Sequence, residues 1–149
     1  MEHSFDHIAQ LYVIDALTIG NGKMNLTILP KPDADSAIQF KHKIDEKGVE
    51  KLRTYIQENN IERYFVLYVA DIPMIYKDTE KRETHKAVVM QSYAIDGKTT
   101  LTFRYFKIHK KFLGKTTIEW YDPRKIENLD IDVKNMHKIH LGISMNVYR

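Results

Sequence analysis

With 149 residues, 43% of them hydrophobic and 29% charged, the chain is too apolar for a disordered polypeptide and suits one domain spanning 1–149. It holds no cysteine, which excludes disulfide frameworks, thiolate catalysis, iron–sulfur clusters and cysteine-ligated zinc. Its 23 basic and 20 acidic side chains leave a net charge of +3, short of the excess that marks a dedicated nucleic-acid protein.

Residues 8–19 alternate imperfectly: Ala9, Leu11, Val13, Leu17 and Ile19 share one strand face, and Asp15 breaks it. A helix from Ser4 as N-cap to Gly20 just past its end competes, and the β-branched content tips the segment towards strand. Gly20-Asn21-Gly22 is a turn signal before a short strand at Met24 to Leu29, which makes a hairpin. Ile38, Phe40 and Ile44 alternate with Gln39, Lys41 and Lys43, so a strand is expected at 37–44. The main helix follows at 46–59. Asp45 is placed to cap it, Val49, Leu52, Tyr55 and Ile56 recur at helical spacing, and Asn59-Asn60 ends it.

Phe65 to Ala70 is a continuous apolar run, the pattern of a central strand buried on both faces, with Asp71 and Pro73 expected to stop it. The polar run Lys77 to Thr84 reads as a turn-rich break. Ala87 to Ile95 and Thr99 to Ile108 flank Asp96-Gly97, which suits a two-residue type I′ hairpin turn. Thr116 to Tyr121 is a further strand. Asp122-Pro123-Arg124 then offers an N-cap with proline at the first helical position, so a second short helix is expected at 122–128. Ile139, Leu141, Ile143, Met145 and Val147 alternate with His140, Gly142, Ser144, Asn146 and Tyr148, the pattern of a closing half-buried strand. Together these make an α+β fold, a curved and mainly antiparallel sheet of about six to seven strands packed on the helix at 46–59.

The charge is unevenly spread. Gly97 to Ile118 carries Lys98, Arg104, Lys107, Lys110, Lys111 and Lys115 and no acid, +6 in 22 residues, which leaves −3 for the rest of the chain. A two-residue turn at Asp96-Gly97 pairs Ile95 with Lys98 and sets Lys86 opposite Lys107, with Tyr105, His109 and Lys111 on the same face. Directly opposed like charges destabilise a sheet. Either an anion is held among Lys86, Lys107 and Lys111 with Tyr105 as its floor, or a bulge shifts the register, or acids from another strand neutralise the lysines. Around 104–110 both faces of the strand become apolar in places, which marks a strand that bends in mid-course.

Other chemistry is thinner. Aromatics among cations on a sheet suit base stacking, yet Thr102 to Ile108 lacks the glycines of the RNA-recognition pattern. His137 and His140 point to opposite faces of the inferred strand, His3 and His7 lie at the start of the chain, and no metal-binding pattern is present. Asp15 and Asp71 each interrupt an apolar run, and a carboxylate in an apolar pocket has the raised pKa of a general base. An α+β cone with a pocket-lining Asp resembles the architecture of nuclear-transport-factor-like enzymes, a likeness of fold alone. There is no glycine-rich phosphate loop and no nucleophile elbow.

The first seven residues hold two acids and no Lys or Arg, unlike a signal peptide, and no apolar run approaches a membrane span. The expectation is a small, soluble, cytoplasmic, non-enzymatic binding protein that engages an anionic partner through the basic hairpin. That partner is an acidic protein surface or an anionic ligand. Nucleic-acid binding by the same hairpin is the second reading, and a pocket enzyme with an Asp general base the third. No cofactor, metal or membrane partner is expected, and an open sheet edge leaves room for an oligomer.

Overall fold

The structure is a computed structural model that describes residue 8 and residues 12–30, 37–41, 44–110, 114, 116–128 and 141–148. In chain order its elements are α1 (Ile14–Ile19), β1 (Leu26–Leu29), β2 (Ile38–Phe40), α2 (Glu46–Glu58), β3 (Arg63–Tyr76), β4 (Arg82–Ala94), β5 (Thr99–Lys110), β6 (Thr116–Trp120), a 3-10 turn at Pro123–Lys125, and β7 (Ile126–Asn128). The strands lie in the order β2-β1-β3-β4-β5-β6, and β7 adds to β3. Every pairing among the described residues is antiparallel. The α+β architecture read from the pattern is present, with a curled antiparallel sheet at its centre.

The apolar run in β3 is continuous because both faces of the sheet are covered. Tyr64, Val66, Tyr68 and Ala70 on one face join Val49, Leu52 and Ile56 of α2 and Met145 and Val147 in one buried cluster. Phe65 and Leu67 on the other face join Val88, Met90 and Phe106, together with Ile8, Val13 and Leu17. Full burial of a side chain of this size is worth about 1.5–3 kcal/mol. Helix α2 begins where the pattern places it: Asp45 caps it, its carboxylate accepting from Gly48 N–H at 2.9 Å.

Several elements differ from the sequence pattern. The segment within 8–19 is helical over Ile14–Ile19, and no hairpin joins it to β1. A strand would bury Ile19 with Val13 and Leu17, whereas the helix turns it out to 85% exposure. Gly20 N–H closes the helix on the Ala16 carbonyl at 2.9 Å. The strand expected at 37–44 is confined to Ile38–Phe40, with residues 42–43 outside the described ones.

Asp71 and Pro73 do not end β3. Tyr76 N–H donates to the Lys81 carbonyl and Ile95 N–H to the Glu62 carbonyl, so even residues of β3 bond towards β4. Pro73, opposite Thr84, falls at a pair without ladder bonds. Its missing N–H therefore costs that ladder nothing.

The second helix expected at 122–128 is one 3-10 turn, with Asp122 Oδ1 accepting from Arg124 N–H at 3.0 Å. The chain then extends, because Ile126 pairs with Tyr76. The closing strand is absent among the described residues 141–148. Met145 and Val147 are buried all the same, and Tyr64 takes the place of a neighbouring strand. Its hydroxyl donates to the Met145 carbonyl and accepts from Val147 N–H at 2.9 Å. No helix among the described residues is long and apolar enough to cross a membrane.

Candidate functional site

The hairpin between β4 and β5 turns on three residues, not two. Gly97 N–H donates to the Ala94 carbonyl at 3.0 Å, and Ala94 N–H donates to the Lys98 carbonyl at 3.1 Å. Ile95, Asp96 and Gly97 are left as the loop, with Gly97 in the left-handed region at φ 89°. Ile95 is drawn the other way, its N–H donating to the Glu62 carbonyl at 2.9 Å. The ladder is therefore displaced by one residue from the expected register: Ala87 opposes Tyr105, and Val88 opposes Arg104. Such a slip changes which side chains share a face. Lys86 and Lys107 are not cross-strand neighbours; they lie on opposite faces of the sheet.

Beyond Ala87–Tyr105 the two strands part. Arg82–Lys86 of β4 stays with β3, while Phe106–Lys110 of β5 pairs with β6. β5 passes from one partner to the other at this point, where both of its faces carry apolar residues. The parted strands enclose a cleft of about 360 Å³, lined by Thr84, His85 and Lys86 on one side and Phe106, Lys107 and Ile108 on the other, with Asp71 also in its lining.

The walls of this fork are backbone edges. Antiparallel strands point the N–H and C=O of successive residues alternately to one neighbour and the other. Ile95 bonds towards β3 and Ala94 towards β5, so Arg82, Thr84 and Lys86 turn their backbone groups into the fork. The Tyr105 carbonyl accepts from Tyr121 N–H at 3.0 Å, on the β6 side, so Phe106, Ile108 and Lys110 also face the fork. Among the described residues no strand ladder reaches these six positions from within the fork.

The residues singled out in the sequence divide across this cleft. Lys86 stands opposite Asp71 on β3, its Nζ 3.8 Å from the carboxylate, with both side chains exposed. Lys107 stands opposite Glu119 on β6, its Nζ 5.0 Å from the centroid of the Tyr121 ring. His109 contacts Glu119. Tyr105 is only 4% exposed and is no open floor for an anion or a base. Its hydroxyl donates to the Pro73 carbonyl at 2.8 Å, and burial pushes its phenol up to about 12. Lys111 lies outside the described residues. Tyr105, Lys107 and His109 thus share one face and Lys86 the other, and an acid from a neighbouring strand stands opposite each of the two lysines.

One group beside Lys107 went unseen in the sequence. His85 Nε2 is 2.6 Å from Glu83 Oε2, and its Nδ1 is 3.2 Å from the Tyr121 hydroxyl. Lys81 Nζ is 3.0 Å from the other Glu83 oxygen. Hydrogen bonds from His85 and Lys81 hold the Glu83 carboxyl down at about 2. The signal was available: a spacing of two puts Glu83 and His85 on one strand face. Reading Lys77 to Thr84 as a break hides it.

Neither candidate general base lies in an apolar pocket. Asp15 is exposed on α1, and the Asp71 side chain is 66% exposed. Among the described residues no group of three or more His, Asp or Glu side chains is placed to hold a metal ion. His3, His7, His137 and His140 lie outside them. No protein-family model, curated protein or solved structure matches the chain.

Proposed function

We propose that the protein is a non-enzymatic binding module that receives an anionic partner in the fork between the outer halves of β4 and β5. One observation carries this reading: the two strands part beyond Ala87–Tyr105 and leave a cleft flanked by Lys86 and Lys107. The walls at 82–86 and 106–110 contain Arg82, Lys86, Lys107 and Lys110 against the single acid Glu83. Asp71 and Glu119 beside them reduce the local excess without cancelling it. Exposed pairs of this kind are worth about 0–1 kcal/mol, so a partner's carboxylates or phosphates compete with them readily.

Titration of acidic peptides and of polyphosphate, with salt raised stepwise, tests the reading on the wild type and on a Lys86→Glu/Lys107→Glu variant. The wild type is expected to bind with an affinity that falls as salt rises, and the variant to bind about tenfold or more weakly. Equal, salt-insensitive binding by both proteins overturns the proposal, as does no binding by either. Retention of nucleic acid alone, with affinity falling log-linearly with salt, transfers the site to the nucleic-acid reading.

A further inference from the structure

We infer that the occupant of the fork is an extended acidic peptide segment that adds as a strand to its open walls. This rests on the anion-binding reading above and names the partner's form. Lys86 projects from one face of the sheet and Lys107 from the other. A compact anion resting on one face of the sheet lies on the side of one lysine only. Successive side chains of an extended strand point to opposite faces, so two adjacent acidic residues in such a strand meet both.

The backbone supports the same occupant. Arg82, Thr84 and Lys86 on one wall and Phe106, Ile108 and Lys110 on the other direct N–H and C=O groups into the cleft. Each wall is five residues long, about 17 Å of strand edge. That length suits a peptide and exceeds what one phosphate or carboxylate covers. Strand addition at an exposed edge takes its affinity from main-chain hydrogen bonds and its specificity from alternate side chains. Here those side chains meet cations. The fork is blind where Ala87 pairs with Tyr105, so a segment lying in the plane of the sheet enters by a chain end or turns out of the plane there.

The test uses the full-length protein and a short peptide with adjacent glutamates flanked by valines. It also uses two copies of that peptide, N-methylated at alternate residues in one phase or the other. N-methylation keeps the charge and removes the donors that face one neighbouring strand. The parent peptide is expected to bind and to slow hydrogen exchange at the amides of Thr84, Lys86, Phe106 or Ile108. At least one methylated peptide is expected to bind about tenfold more weakly, the worth of one backbone hydrogen bond.

A second arm is Thr84→Pro, which removes a donor facing the fork and none from the ladder to β3. If it folds, it too weakens the parent peptide; if it does not, the methylated peptides decide alone. Equal binding of all three peptides with unchanged exchange overturns strand addition and leaves the anion reading standing. Failure of both peptide and polyphosphate to bind overturns both. An oligonucleotide that binds where the peptide does not also overturns strand addition by a peptide.

Discussion

Glu83 sits between His85 and Lys81, and both partners keep it ionised far into the acid range. A carboxyl whose pKa is lower in the folded chain stabilises the fold above its unfolded value, and that contribution is lost as pH falls through the folded one. For Glu83 the contribution is full above its ordinary 4.5 and disappears as the pH falls towards about 2. The Glu83→Gln variant is therefore expected to be less stable than the wild type at neutral pH and to lose less on acidification. Urea midpoints measured from neutral pH down to the acid end check this, since the two curves should converge there. A gap that stays constant with pH would mean that Glu83 acts only by packing.

At the scale of elements, α2 depends on its first turn. Asp45 satisfies the Gly48 N–H, one of the donors that a helix start leaves without an intrahelical partner. Asp45→Ala is expected to cost about 1 kcal/mol, read as a lower urea midpoint with an unchanged slope. This element was legible because its cap and its stripe of Val49, Leu52 and Ile56 are local features. The same holds for the existence of β3, β4 and β5, which follow from apolar patterning within each segment. Legibility failed where the deciding bond is distant or depends on geometry. Whether Pro73 ends a strand depends on which way its N–H position points, and that depends on the register with β4. Residues 141–148 keep an alternating burial without being a strand, because a tyrosine hydroxyl meets their backbone groups. Ile14–Ile19 is helical despite its β-branched residues, an outcome settled by packing against the second cluster more than by propensity.

Across the whole molecule, Tyr64 ties Met145 and Val147 to β3 in the interior of the sheet. Burial pushes its phenol far above the ordinary range, so it remains a neutral hydroxyl that donates to Met145 and accepts from Val147. Tyr64→Phe leaves a buried carbonyl and a buried N–H without that partner. The expected cost is about 3 kcal/mol in urea unfolding, with faster hydrogen exchange at the Val147 amide. The candidate site shows the same dependence on distant bonds. The acid-free basic stretch was visible in the sequence, and so was the apolar character of both faces of β5. The facing of each lysine was not, because it turns on one residue: Ile95 bonds to Glu62 at the head of β3 and leaves the β4–β5 turn with three residues in place of two.

Among the described residues no strand pairs with the inner walls of the fork, which also bears on how copies of this chain meet one another. A bare strand edge pairs with any other bare edge of suitable length, and crowded solutions multiply such encounters. Charged side chains along an edge, lysine above all, are a common guard against this stacking. Arg82, Lys86, Lys107 and Lys110 stand along both walls, so the side chains proposed to meet a partner are also expected to hold copies of the chain apart. Replacing them with neutral residues removes the repulsion and leaves a seam along which molecules can aggregate. Reversing their sign tests recognition while keeping the molecules apart.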